Sequence, residues 1–170
     1  CAKELGYPLL LKSVAGGGGR GTRWVARARE VSDQFEASVR EARWSFANPD
    51  VYLESVLKKA RHVGVTVVVD RHGGVAHVGE HEASVQRRFQ KLIEEGPAPS
   101  VDAKLRPQLF RAAVAIAKEV GLGNIGTVEF LVDGEKKFYF LGVNGRIQVE
   151  HPVTEMVTGL DLVQLQIELA

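Results

Sequence analysis

Apolar residues recur along this chain in two kinds of pattern, one typical of strands and one typical of helices. Short apolar or alternating runs bounded by glycine, proline or charged turns predict β-strands, and apolar residues three or four apart predict amphipathic helices. The predicted strands are 8–13, 22–28, 51–57, 62–70, 75–85, 126–133 and 138–144, with a further strand after residue 91. The predicted helices are 1–5, 30–47, 102–120 and a segment from 160 onward.

This order of elements predicts the α+β fold class. A small lobe built from a hairpin and a helix is expected over residues 1–57, followed by a larger lobe with a mixed sheet over residues 58–170. Asp102 is expected to cap its helix, which Gly121 ends. Neither end of the chain has the polar or glycine-rich composition of a domain edge. We therefore expect a piece of a longer protein, with the larger lobe truncated at its C-terminus.

Composition narrows the class of protein. The chain has 170 residues, with 22 basic against 21 acidic side chains, so its charge indicates neither a nucleic acid nor a membrane as partner. The single cysteine, Cys1, excludes an internal disulfide and a cysteine zinc site. No apolar run approaches the about 20 residues of a membrane span, and no signal peptide is visible. A cytoplasmic protein is expected, or a mitochondrial matrix protein in a eukaryote.

Four consecutive glycines, Gly16–Gly19, form the most unusual loop. Their backbone N–H groups can surround phosphate oxygens, and Lys12 and Arg20 are nearby cations. The loop is neither a Walker A loop nor a Rossmann fingerprint, because a strand is predicted after it. It is therefore either a phosphate-binding loop or a flexible hairpin tip.

A second candidate site lies on the predicted hairpin of the last two strands. If Asp133 pairs with Phe138, then Glu129 lies directly across from Gly142, where cross-strand neighbours have Cβ atoms about 4.5–5.5 Å apart. Two carboxylates there would bind Mg²⁺, but the chain provides one. Glu129 is thus either a lone metal ligand or a hydrogen-bonded polar group.

The segment from Asn144 to Glu155 is the most informative stretch. If it is extended, Asn144, Arg146, Gln148 and Glu150 share one face, and Ile147 and Val149 anchor the other face to a core. An amide, a guanidinium and a carboxylate on one face suit a small anion that must be held and deprotonated. The alternative is a solvated edge strand.

Three further residues are weaker candidates when each is considered alone. A lone histidine such as His62 is more often structural than functional. Lys91 lies close to Arg87 and Arg88, so it could belong to a solvated basic face. Gln86 carries no specific chemistry by itself.

Together these residues resemble the ATP-grasp fold and, within it, the biotin carboxylase family of acyl-CoA and pyruvate carboxylases. The similarity covers nearly the whole chain, and the run from Arg146 to Glu155 is its most specific part. The matching segments are Gly6–Pro8 with Lys12, Gly16–Gly21, Tyr52–Glu54, Arg61–Val63, Ser84–Arg88, Gln90–Lys91, Glu94–Glu95, Gly126–Leu131 and Arg146–Glu155.

The resemblance implies a ligase that uses ATP, Mg²⁺ (or Mn²⁺) and bicarbonate to carboxylate biotin on a carrier. Its implied partners are a biotin carboxyl carrier domain and a carboxyltransferase, and the full-length protein is expected to form homo-oligomers. The implied catalytic residues are Glu150 as general base, Arg146 and Lys91. The implied ATP- and substrate-binding residues are Lys12, Gly17, Gly18, Gly19, Glu54, Leu57, His62, Gln86, Leu131, Gln148 and Val149. The implied metal ligands are Glu129 and Asn144.

The chain departs from the family pattern at four positions. Gly142 and Gly64 stand where glutamates are usual, Gly145 replaces a usual threonine, and Phe89 replaces a histidine or another polar residue. These departures raise a second hypothesis, a catalytically impaired relative that serves as a nucleotide-binding or assembly module. A third hypothesis is another ATP-grasp ligase, such as a carbamoyl-phosphate synthetase. The isolated chain is not expected to be active alone.

Overall fold

The computed structural model describes residues 1–170 and divides into two compact units, Cys1–Lys58 and Lys59–Ala170. None of its helices is both long and apolar enough to cross a membrane.

The first unit is a three-stranded antiparallel sheet with one long helix. The strand order is β2-β1-β3, and alternate residues of β1 are buried. Leu9, Leu11 and Val25 form its core. The elements are α1 (Ala2–Leu5), β1 (Leu9–Ser13), β2 (Thr22–Val25), a 3₁₀ turn (Ala28–Glu30), α2 (Val31–Phe46) and β3 (Val51–Ser55).

The second unit contains a five-stranded sheet of order β6-β5-β4-β7-β8. Every pairing in it is antiparallel, so the expectation of a mixed sheet was wrong. The elements are β4 (Arg61–Val69), β5 (Val75–Arg87), β6 (Gln90–Glu95), α3 (Arg106–Glu119), β7 (Asn124–Val132), β8 (Phe138–Asn144), α4 (His151–Thr158) and α5 (Leu162–Leu169).

The alternating sequence of β4 gives this sheet two different faces. Val63, Val65 and Val67 are fully buried in one core with Leu109 and Ala113 of α3. Side chains alternate along a strand, so the residues between these valines lie on the opposite face. We call this opposite face, which carries His62, Gly64 and Thr66 of β4 together with Thr127, Glu129 and Leu131 of β7, the polar face.

The pairing of β7 with β8 differs from the prediction near the turn but agrees with it at Glu129. Phe138 pairs with Val132, not with Asp133, because Asp133 lies in the turn and accepts backbone bonds there. A register shift between Glu129 and Phe130 then adds one residue to β8. Glu129 therefore still lies across from Gly142, as the sequence predicted.

Helix α3 begins four residues after the predicted capping residue. The Asp102 carboxylate accepts bonds from the Lys104 and Leu105 N–H groups, both at 2.9 Å. These bonds hold a turn, and regular helix starts at Arg106. Gly121 follows the helix with a φ of 62°, as expected for a residue that ends it.

Candidate functional site

A lysine bridges two carboxylates on the polar face. Lys91 Nζ donates to Glu129 Oε1 at 2.7 Å and also to Glu150 Oε1. Glu129 lies in β7 and Lys91 in β6, with two strands between them in the sheet, and Glu150 directly precedes α4. The exposed fractions of the side chains are 17% for Lys91, 14% for Glu129 and 5% for Glu150. We call these three residues the Lys91 cluster; little water screens their charges.

The Lys91 cluster holds its own members ionised. Burial raises the pKa of Glu150, but contacts with His81 and Lys91 outweigh burial and lower this pKa to about 2. Burial also raises the pKa of Glu129, yet His62 and Lys91 bring it far below its ordinary value. Burial lowers the pKa of Lys91, and the two carboxylates more than reverse this effect. The cluster therefore carries two negative charges and one positive charge at neutral pH.

His62 and Gln86 lie together beside this cluster. Gln86 Nε2 donates to the Ala83 carbonyl at 2.7 Å and lies 2.7 Å from His62 Nδ1, so the amide also donates to that ring nitrogen. His62 Nε2 then carries the proton, and it lies 3.4 Å from Glu129 Oε1. The structure thus brings His62, Gln86, Lys91 and Glu129 to one place.

The segment after Asn144 differs from the extended strand that the sequence predicted. β8 ends at Asn144, residues 145–150 form a loop with a turn, and α4 follows. Gln148 and Glu150 are buried, whereas Val149, which was expected to anchor the segment to a core, is 87% exposed. Arg146 is exposed, and its guanidinium donates to the Ile147 carbonyl at 3.0 Å. The predicted alternation is absent because the loop buries the polar residues Gln148 and Glu150 and exposes the apolar Val149 between them.

Oxygen donors suited to a metal collect near Glu129. Asn144 pairs with Thr127 two residues from the pair of Glu129 and Gly142, so Asn144 and Glu129 share a face. Gln148 donates to Glu129 at 3.4 Å through Nε2, and its buried Oε1 has no partner. One carboxylate and amide oxygens fit Mg²⁺ when a ligand supplies the remaining oxygens. No group of three or more His, Cys, Asp or Glu side chains is placed to bind a metal.

The first unit contains the other predicted residues. Lys12 Nζ donates to Glu54 Oε2 at 3.0 Å between adjacent strands β1 and β3. Burial lowers the pKa of Lys12, but Glu54 more than compensates, so this pKa is raised. Leu57 is half-buried just beyond β3.

The glycine loop joins β1 to β2. Gly17, Gly18 and Gly19 lie at its tip. Gly18 and Gly19 have φ values of 60° and 79°, a left-handed conformation that glycine adopts without strain. The backbone of the loop is thus free of side chains at its tip.

The sequence did not indicate His81, which lies beside Gly64 on the polar face. His81 of β5 is 1% exposed, and its Nε2 lies 3.7 Å from Glu150 Oε1. Gly64 pairs with His81 across β4 and β5. The sequence offered no signal for His81, because four consecutive residues of β5, from Glu80 to Ala83, are buried without alternation, and a single histidine in a strand is usually structural.

The antiparallel sheet with helices on both faces and the small lobe with its glycine loop define the ATP-grasp class. The profile of the family described as "Carbamoyl-phosphate synthase L chain, ATP binding domain" matches residues 1–170. The chain belongs to this family, and the predicted resemblance to biotin carboxylases is confirmed by its relatives.

The similar proteins are carboxylases. "Biotin carboxylase 1" of Bacillus subtilis is 48% identical over 99% of this chain and 38% of its own length. The "Propionyl-CoA carboxylase alpha chain" of Ruegeria pomeroyi is 46% identical over 99% of this chain and 25% of its own length. The chain thus spans well under half the length of these relatives.

Solved structures agree with the sequence comparison. A biotin carboxylase complex from Campylobacter jejuni, described as "beta-gamma-ATP", superposes with a TM-score of 0.94 at 45% identity, covering 99% of this chain and 38% of the other. The biotin carboxylase domain of Hydrogenobacter thermophilus 2-oxoglutarate carboxylase, with MgADP, ADP and bicarbonate, gives a TM-score of 0.92 at 43% identity, covering 99% and 37%.

Proposed function

We propose that this chain is the ATP-binding part of a biotin carboxylase. In the whole protein it would use ATP, Mg²⁺ and bicarbonate to carboxylate biotin on a carrier domain. The observation that carries the proposal is the Lys91 cluster, in which a buried cation joins two carboxylates next to the family's most specific segment. Relatives crystallised with a β,γ-ATP ligand or with MgADP and bicarbonate support the choice of substrates.

Glu150 is the proposed general base. It takes a proton from the bicarbonate O–H, and the electron pair stays on the bicarbonate oxygen. The contact with Lys91 makes Glu150 a weak base, because its pKa is about 2. An anion that draws Lys91 away would raise this pKa and strengthen the base where it is needed. Arg146, whose exposed guanidinium contacts only a neighbouring carbonyl, would hold the anion together with Gln148 and the Val149 backbone.

The metal and nucleotide residues are assigned in each unit separately. In the second unit, Glu129 and Asn144 would bind Mg²⁺, which neutralises charge on nucleotide phosphates when it is present. His62, Gln86 and Leu131 would contact the nucleotide.

In the first unit, which we propose to be the small lid lobe, Lys12 and the N–H groups of the glycine loop are proposed phosphate ligands. Glu54 and Leu57 would border the adenine.

The partners follow from the relatives and belong to the whole protein. We propose a biotin carboxyl carrier domain, a carboxyltransferase and a homo-oligomeric full-length protein, in the cytoplasm or the mitochondrial matrix.

The test is biotin- and bicarbonate-dependent ATP cleavage by the full-length protein. Glu150→Gln should abolish turnover while ADP still binds, because the amide cannot accept the proton. Glu119→Gln, an exposed change in α3, is the matched control and should leave turnover unchanged. Full turnover by Glu150→Gln would contradict the assignment of the base.

Gly142 favours a second candidate, a relative that binds nucleotide without carboxylating biotin. The whole-length similarity to carboxylases supports the first candidate more strongly. A wild-type protein that binds ADP but cleaves no ATP, together with a Gly142→Glu variant that does, would establish the second.

A further inference from the structure

His81 is a fully buried histidine without a hydrogen-bond partner. It is 1% exposed, and neither ring nitrogen forms a hydrogen bond. Buried polar atoms of folded proteins nearly always have partners, so an unpartnered imidazole needs an explanation. A leucine could fill the same space without two unsatisfied nitrogens.

Gly64 provides the space that the imidazole occupies. A Cβ atom at position 64 would lie 2.6 Å from His81 Cε1 and 2.7 Å from His81 Nε2. Real Cβ atoms do not approach so closely, so any other residue at position 64 would displace the ring. The imidazole of His81 can therefore occupy this position on the polar face only because Gly64 has no side chain.

The imidazole faces the proposed base. Nε2 of His81 lies 3.7 Å from Glu150 Oε1, slightly too far for a hydrogen bond. Both residues line a small cleft whose other charged or titratable side chains are Arg146 and His151. β4 and β7 line this cleft with Thr66, Thr127 and Ile125, which carry no charge. Beyond the cleft, Lys91 reaches Glu150 from β6.

We propose that His81 is a positioning residue for Glu150, a role that rests on the proposed function of Glu150 as the base. When an anion draws Lys91 away, the Nε2–H group of the imidazole donates to the Glu150 carboxylate. The small gap in the resting site closes when Glu150 leaves Lys91. His81 thereby holds the ionised carboxylate in position to accept the bicarbonate proton.

Three variants of the full-length protein test this role through bicarbonate-dependent ATP cleavage. His81→Leu removes both nitrogens and should lower kcat roughly 10- to 100-fold, the effect of losing a hydrogen bond at a charged site. His81→Gln places an amide near Nε2 and should retain most of the rate. His72→Gln makes the same change in an exposed turn and should have no effect. The KM for ATP should not change in any of them.

Comparison of the two His81 variants separates positioning from packing. The glutamine amide restores an N–H donor beside Glu150, whereas leucine only fills the space. Equal losses of kcat in His81→Leu and His81→Gln would overturn the proposal, as would full activity of His81→Leu.

Gly64→Ala tests the same contact without removing any atom of the imidazole. Its Cβ should displace the ring and lower kcat as His81→Leu does. Gly134→Ala is the control, because a Cβ there meets nothing within 4 Å. Wild-type kcat in Gly64→Ala would count against the proposal.

A final measurement does not depend on turnover. In full-length protein labelled with ¹³Cε1-histidine, the signal of His81, identified by its loss in His81→Gln, should shift in Glu150→Gln and not in Glu119→Gln. If the wild type cleaves no ATP at all, the proposed function is wrong. The His81 signal then tests separately whether His81 contacts Glu150. An unshifted signal overturns it.

Discussion

Replacing Lys91 with methionine should destabilise the second unit in a pH-dependent way. Methionine keeps most of the side-chain length and removes the charge that contacts both Glu129 and Glu150. Removing one partner of a buried ion pair leaves the other charge unpaired, at a cost of about 3–5 kcal/mol. The fall of the Glu150 pKa from 4.5 to about 2 corresponds to about 3 kcal/mol. Because His81 contributes part of this decrease in the Glu150 pKa, we expect Lys91→Met to lower the free energy of unfolding by about 3 kcal/mol at pH 7.

The sign of the pH effect follows from the direction of the pKa change. A carboxyl group whose pKa is lowered on folding stabilises the protein above its unfolded pKa, and this stabilisation disappears as the pH falls through the folded pKa. For Glu150 the window is pH 4.5 down to about 2. Without Lys91, each carboxyl group loses the cation that opposes the effect of burial, so its pKa rises. The variant should then gain stability as the pH falls from 7 toward 5, while the cluster's contribution in the wild type stays constant.

The assay must report on the second unit. Both tryptophans, Trp24 and Trp44, lie in the first unit, so tryptophan fluorescence would follow the wrong transition. Urea-dependent hydrogen exchange of the β7 amides gives the opening free energy of the sheet that carries Glu129. Measurements at pH 7 and pH 5 then give the size and the sign of the effect.

The matched control is Lys137→Met. Lys137 also donates to a carboxylate, that of Glu135 at 2.8 Å, but the two side chains are 66% and 75% exposed. Exposed pairs contribute about 1 kcal/mol or less. Equal effects of Lys91→Met and Lys137→Met, or a loss at Lys91 that is the same at both pH values, would refute the reasoning.

Two ligand-binding predictions follow from the same structure. Gly142→Glu should tighten Mg²⁺ binding in the presence of ADP roughly tenfold, because it adds a second negative charge across from Glu129 in open space. Calorimetry measures the Mg²⁺ affinity, with Gly134→Glu as the control. An unchanged affinity in Gly142→Glu would contradict the prediction. Lys12→Met should weaken ADP binding roughly tenfold through loss of a charge-assisted phosphate contact, whereas the exposed Lys3→Met should not; equal ADP affinities for the two variants would exclude Lys12.

Much of the fold was predictable because it depends on local patterns. The β-branched, apolar run over residues 62–70 predicted β4, and Gly121 predicted the end of α3. The errors lie where longer-range contacts overrule local alternation. Val149 was expected inside and is exposed, because the chain turns there to bury Gln148 and Glu150 beside residues of other strands.

The register of the β7–β8 hairpin shows the same limit. The turn length predicted that Glu129 lies across from Gly142, and this pairing is present. It arises from two departures from the predicted pairing, a shorter ladder at the turn and an extra residue in β8. Nothing in the sequence of either strand alone indicates that bulge.

The sequence by itself determined the order of elements other than α4, the α+β class and the family, because these depend on periodicity and on a run of specific residues. Only the tertiary structure decided that Lys91, Glu129 and Glu150 form one cluster and that His81 fills the space above Gly64. These residues are far apart in the chain and meet because β6, β5, β4 and β7 lie side by side in one sheet. Strand order and loop direction are set by the packing of the whole core, which no local pattern contains.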